Sequence, residues 1–205
     1  MALNTAMELF WAKGYEGTTL TDLTDAIGIK RASLYAVFGS KEELFRRARD
    51  LYDTAHMGFV RLALGKPSTR EAVDELLHGF ADAQTDPSRP PGCLGLSGAF
   101  ATSSSGEPIR QEMVACRMGR LQALRARLEE GYLAGDLPPD SNPSDLAHYL
   151  MTIINGMAVH AATGATREDL HRIVDTALKA WPVSEGRRAG RSRTTTAVVH
   201  QSCLV

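Results

Sequence analysis

The side chains best suited to meet an anion are gathered in one short stretch. Lys30, Arg31, Ser33 and Tyr35 lie within six residues, with Lys41 after them and Thr19 before them. Residues 30–49 hold six Lys or Arg against two Glu, although the whole chain of 205 residues has a formal net charge of −1. The positive surplus is therefore local. Ammonium and guanidinium groups neutralise phosphates, and Ser and Tyr hydroxyls add hydrogen bonds to them. An arginine can also grip a guanine edge through two bonds. This set therefore points to nucleic-acid chemistry, with Arg31 suited to a base and the others to phosphates. Arg46, Arg47 and Arg49 fit the same patch equally well as a solvated helix face.

Those residues need elements to hold them. Thr19 can cap a helix with Asp22 at its third position, and Leu20, Leu23 and Ile27 give that helix an apolar face. Gly28 sits where this helix must end and the chain must turn. Lys30 to Val37 then reads as a second short helix, and Ser40-x-x-Glu43 as the start of a longer one. Two short helices around a glycine turn make a helix-turn-helix unit, whose second helix enters a DNA major groove. Before it, Leu3, Met7, Phe10 and Trp11 share one face of a first helix that Gly14 is expected to end. Thr24, four residues before Gly28, crowds a place where the two short helices nearly touch.

The rest of the chain reads as helices too. A fourth is expected from Lys41 to about Leu64, and a fifth from Ser68 to Gln84. A loop follows at residues 86–92, then a short helix or turn closed by the Ser-Ser-Ser-Gly stretch 103–106. A long helix runs from Pro108 to Leu133. Two more, 143–163 and 167–181, carry large apolar faces and a short link that makes them antiparallel. On the long helix Ile109, Met113, Cys116, Arg120 and Leu124 share a face, with Arg117 beside it. An arginine in an apolar stripe marks an anion to be bound, or snorkels to solvent. Cys93, in Pro-Gly-Cys-Leu at a loop-to-helix transition, is either a reactive thiol or a small buried one. His160, alone in mid-helix, reads as structural.

The first 45 residues closely resemble the TetR family of bacterial transcriptional regulators. The resemblance rests on Phe10, Gly14, Tyr15, Thr18, Thr19, Leu23, Ala26, Gly28, Ile29, Leu34, Tyr35, Phe38, Ser40, Lys41, Glu42 and Leu44, ungapped over residues 3–45. Beyond that stretch only helix rhythm and a Gly-Cys-Leu at 92–94 match. Members of this family commonly carry a few more residues, often basic, ahead of the first helix.

The resemblance implies an all-α homodimer of about nine helices, residues 1–46 reading DNA and 47–182 binding a small effector and dimerising; the tail 183–205, rich in Arg, Ser, Thr and Gly without helical rhythm, is expected to be disordered. It implies DNA contacts from Thr19, Lys30, Arg31, Ser33, Tyr35 and Lys41. It implies an effector pocket between the fourth and eighth helices, with Phe59, Phe80, Met113, Cys116, Arg120, Tyr149 and Met157 as candidate lining. Two copies of the last helix pair would form a four-helix bundle through Leu146, Leu150, Ile153, Ile173, Ala177 and Trp181. The expected partners are double-stranded operator DNA, a small molecule and a second copy of the chain. The expected role is a ligand-released repressor, with activation open. Two alternatives remain: a helical binding protein with weak or lost DNA affinity, or a cysteine-based redox or electrophile sensor on this fold.

Other classes have little support. No catalytic triad, phosphate loop or His-x-x-x-Glu spacing appears, so no enzyme, metal or cofactor is expected. Cys93, Cys116 and Cys203 are too scattered for a disulfide framework. No apolar run of membrane-spanning length and no signal peptide is seen, so a cytoplasmic protein with no membrane partner is expected.

Overall fold

The computed structural model describes residues 1–98 and 106–182, and these form ten helices and no strand. The helices are α1 (Ala2–Gly17), α2 (Leu20–Ile27), α3 (Arg31–Phe38), α4 (Lys41–His56), α5 (Gly58–Leu64), α6 (Thr69–Gln84), α7 (Leu94–Gly98), α8 (Glu107–Ala134), α9 (Pro143–Ala162) and α10 (Arg167–Lys179). The serine stretch before Gly106, the tail and Cys203 lie outside the described residues.

Local chemistry sets the N-terminal unit. The hydroxyl of Thr19 accepts the Asp22 N–H while the Asp22 carboxylate accepts the Thr19 N–H, a reciprocal cap at the start of α2. Gly28, at φ 75°, takes the left-handed turn that ends it. Ser40 caps α4 by accepting the Glu43 N–H. The Glu43 carboxylate does not return the bond; it turns to Arg46 and Arg47. Phe10, Tyr15 and Phe45 make an aromatic centre, with Phe10 edge-on to Phe45 at 5.1 Å. Leu23, Leu34 and Leu44 are fully buried around it. Each such side chain contributes ~1.5–3 kcal/mol. Thr24 fits by donating its hydroxyl back to the Thr21 carbonyl.

One helix boundary falls where expected and one does not. Gly14, at φ 71° and ψ 172°, breaks the helical path of α1 as expected, and a short helical turn follows to Gly17. The helix expected from Lys41 to Leu64 breaks at Met57, which leaves helical geometry at ψ 8° and is buried at 3% exposure. Gly58 follows it and opens α5. The apolar rhythm runs through the break, so periodicity alone joined the two pieces, and the count rises from about nine helices to ten.

In the C-terminal half, α8 packs along α9, while α6 lies against both α9 and α10. Two elements join the halves. One is α4, which packs on α1 and runs on to α5. The other is α7, which contacts α1, α4 and α8. Gly14 is where α1 and α7 come close: a Cβ there would lie 3.4 Å from the Ser97 carbonyl oxygen.

Candidate nucleic-acid interface and ligand cavity

Of the eight residues of α3, only Leu34 and Phe38 are buried. Arg31, Ala32, Ser33, Tyr35, Ala36 and Val37 are exposed, and so is Lys30 at the N-cap. The structure thus brings four of the predicted contacts, Lys30, Arg31, Ser33 and Tyr35, onto one short open helix. Arg31 lies one turn before Tyr35, donates to its hydroxyl at 3.4 Å and sits 5.7 Å from its ring centre.

The other two candidates are more occupied. The Lys41 ammonium lies 4.3 Å above the Tyr15 ring, and partial burial lowers its pKa. The Tyr15 hydroxyl donates to Glu42 at 3.0 Å. The Thr19 hydroxyl is engaged in its cap, where it donates to Asp22 at 2.6 Å. Lys13, 2.6 Å from Asp22, and the Thr19 bonds hold that carboxyl far below the usual range.

The three later arginines divide. Arg46 grips Glu112 through Nε and Nη, at 3.0 and 2.8 Å, and so ties α4 to α8. Arg49 pairs with Asp50 and approaches Glu112. Arg47 is exposed, beside Glu43 and the Phe38 ring. Arg46 and Arg49 therefore serve the contact between the halves rather than a free solvated face.

A cavity of about 70 Å3 lies between α4, α5, α6, α7, α8 and α9. Its walls are mostly apolar, with Met57, Leu76, Phe80, Met113 and Leu124 among them. Its polar side holds Arg120, whose guanidinium donates to Asp53 at 2.6 Å. Burial drives the Asp53 carboxyl up to about 6, against the pull of Arg120 and Arg49. Arg117, Asn155 and both described thiols also line the cavity. The Tyr52 hydroxyl lies 3.5 Å from Cys93 Sγ, and an Arg49 Nη lies 3.9 Å from Cys116 Sγ.

Four of the predicted lining residues, Phe80, Met113, Cys116 and Arg120, face this space. Three do not. Phe59 stands behind the wall, edge-on to Phe80 at 5.1 Å. Met157 is in the packed core at 1% exposure, and Tyr149 is 39% exposed on the outer side of α9. The reason is the rotation of α9: Met151, Ile154 and Asn155 share its cavity face, leaving 149 and 157 on other faces. Arg120 does not snorkel; its partner is Asp53. That aspartate was missed, although the same logic finds it, because a carboxylate on the buried face of α4 needs a cation as much as Arg120 needs an anion.

The predicted dimer residues also separate. Leu150, Ala177 and Trp181 are buried inside one protomer at 0%, 6% and 4% exposure. They are already spent on its own core. Leu146, Ile153 and Ile173 are only half-buried. An open groove between α9 and α10 is lined by Tyr149, Ile153, His160, Ile173 and Ala177 among others. His160 is exposed there.

Comparison with known proteins agrees with this geometry. Residues 2–48 match the model for bacterial regulatory proteins of the tetR family. Residues 70–177 match the tetracyclin repressor-like C-terminal domain. The HTH-type transcriptional repressor ComR of Escherichia coli K12 is 33% identical over 183 residues, 88% of this chain and 87% of ComR. A solved cysteine mutant of the TetR family regulator CifR, complexed with 26-base-pair double-strand operator DNA, is 40% identical with a TM-score of 0.83. It aligns over 88% of this chain and 95% of that one. A putative TetR regulator from Rhodococcus sp. RHA1 is 38% identical, with a TM-score of 0.61, over 89% of this chain and 98% of its own.

Proposed function

The chain belongs to the TetR family of bacterial transcriptional regulators, and from that premise we propose that it represses a near-palindromic operator as a homodimer and is released by a small effector. The observation that carries the DNA half is α3. A helix with two buried residues and an open row of Lys30, Arg31, Ser33 and Tyr35 is built to meet something outside the protomer. Arg31 reads a base, Tyr35 and Lys30 hold phosphates, and the exposed Ala32, Ala36 and Val37 suit thymine methyls. Lys41 reaches a phosphate by leaving its place over Tyr15. Residues 1–46 form the reading unit and 47–182 the effector and dimer unit. This role places the protein in the cytoplasm with the DNA. No described helix is long and apolar enough to cross a membrane.

The effector reading rests on the cavity. It pairs an apolar wall with Arg117 and Arg120, so the fitting effector has a compact apolar body and an anionic group. Such a molecule competes with Asp53 for Arg120. Because α4 runs from the Ser40 cap through Asp53, and the turn into α7 sets Cys93 at the cavity while α7 sets Ser97 beside Gly14, parting α4 from α8 moves the reading unit. The effector shifts the equilibrium only by its difference in affinity for the two states.

A second reading has its own observation: Cys93 and Cys116 line one cavity with Tyr52 and Arg49 beside them. Modification of either thiol would fill the space an effector uses. Differential alkylation after mild peroxide tests it. Cys93, half-buried at the start of α7, is expected to react first, and operator release without thiol modification discards the reading. The primary reading is tested by mobility shift against duplexes from upstream of its own gene. Specific retardation supports it, and absence of any sequence preference removes it.

A further inference from the structure

We propose that the cavity takes up a weak organic acid as an anion and a proton together: the anion goes to the Arg120 guanidinium, and the proton goes to Asp53. This rests on the effector reading above and deepens it. The protein then answers to the undissociated acid rather than to its salt.

Asp53 is 8% exposed, and its carboxylate accepts a hydrogen bond from Arg120 Nη2 at 2.6 Å. The pair spans the cavity wall, with Asp53 on α4 and Arg120 on α8. Each member compensates the other's buried charge. Arg120 Nη1 turns toward Gly95, where a Cβ would lie 3.1 Å from it. Glycine at that position leaves the nitrogen clear. An entering carboxylate therefore finds a guanidinium with donors to spare.

Two carboxylates on one buried cation do not both stay ionised. The groups around Asp53 supply no second free cation in the interior. On α4, Arg49 also attracts Asp53 but is already bound to Asp50 at 2.6 Å, and burial keeps the Tyr52 hydroxyl protonated. On α8, Arg117 is exposed, where solvent screens it, and Cys116 lies 3.9 Å from Arg49. Cys93, ahead of α7, faces the Tyr52 hydroxyl. Helices α5, α6 and α9 bring only uncharged side chains to the cavity. One of the two carboxyls must then be neutral, and Asp53 is the better base. Burial already lifts its carboxyl to about 6 with Arg120 in place. A free carboxylic acid lies lower, near ~4.3. Solvent supplies the proton, and no other bond is made or broken.

The pH window follows from that difference. Above about pH 6 the free protein holds Asp53 ionised while the complex holds it protonated. Affinity for the anion therefore rises as the pH falls toward that value, by close to ~10-fold per pH unit. Below about 6 Asp53 carries its proton before the ligand arrives, and the dependence levels off. Within the upper range the quantity sensed is anion times proton, which is proportional to the undissociated acid. A neutral Asp53 also holds Arg120 less firmly, and this loosens α4 from α8.

The test is calorimetric titration of the full chain with butyrate and benzoate at mildly alkaline pH, in phosphate and in Tris. These buffers differ in ionisation heat, so the difference between them counts protons. The expected result is uptake of close to one proton per anion bound, fading in mildly acid buffer. Asp53→Asn should still bind both anions, without proton uptake and with a flat pH dependence. Arg120→Gln should weaken both anions by ~10-fold or more and leave the uncharged butyramide and benzamide little changed. Equal heats in the two buffers with the wild type would place the anion at exposed Arg117 and overturn the proposal, while the effector reading stands. Proton uptake that persists in Asp53→Asn would put the proton on another group and overturn it as well. No binding of either acid at millimolar concentration would remove the anionic-effector reading and the proposal with it.

Discussion

Helices α3 and α10 are both short, and both keep a face that their own protomer does not cover. On α3 the open face carries Lys30, Arg31, Ser33 and Tyr35 around small apolar residues. On α10 the half-open face carries Ile173 against Ile153 of α9, with charges at the rim. The difference matches the two roles proposed for these faces. A cationic, hydroxyl-bearing helix gains nothing from burial against protein and much from a phosphate backbone. An apolar seam with a charged edge gains from another apolar seam.

The largest test of that contrast is to charge the seam. Ile153→Glu or Ile173→Glu is expected to give folded monomers and to abolish operator binding, although neither residue lies on α3. Sedimentation and circular dichroism separate the outcomes. A variant that unfolds as a monomer would mean that these side chains serve only the protomer's core.

Next in size is Arg31→Ala. It should cost ~1–3 kcal/mol at one base position and relax the preference there. An equal loss on every duplex would make it a phosphate contact. Smaller still, Tyr35→Phe and Lys41→Ala should weaken binding alike across sequences, and Lys41→Ala should lower the salt slope by about 1. An unchanged slope would leave Lys41 with its place over Tyr15 as its whole role.

The smallest effect belongs to the cavity. Asp53 titrates near 6 when folded and near 3.8 otherwise, so the native state holds its proton more firmly. This group's contribution to stability is therefore present at acid pH and is lost as the pH rises through about 6. Asp53→Asn lacks that loss. Its melting temperature should gain on the wild type steadily from acid to neutral pH; a constant difference would mean the carboxyl is not shifted.

The N-terminal unit was legible because its signals are local. Thr19, Gly28 and Ser40 each start or stop a helix through their own side chain or backbone, within four residues of where they act. The fold class followed from helix rhythm in the same way. The break at Met57 hid because apolar spacing continues across it. The cavity was read in part: Arg120 was visible as a cation in an apolar stripe, but its partner Asp53 stands 67 residues away on another helix. Tyr149 and Met157 were misplaced because the rotation of α9 is set by packing on α6 and α8, which no local signal encodes. Leu150 and Trp181 were assigned outward for the same reason: an apolar face does not say whether its own protomer or a partner covers it.

The most direct test of the account is selection of duplexes from random DNA by the full-length protein, with sedimentation of the recovered complex. The predicted result is an inverted repeat whose half-sites lie one helical turn (~34 Å) or a small multiple apart, bound by two protomers or a multiple of two. Recovery of no shared sequence, or of a single unrepeated site held by one protomer, would contradict it.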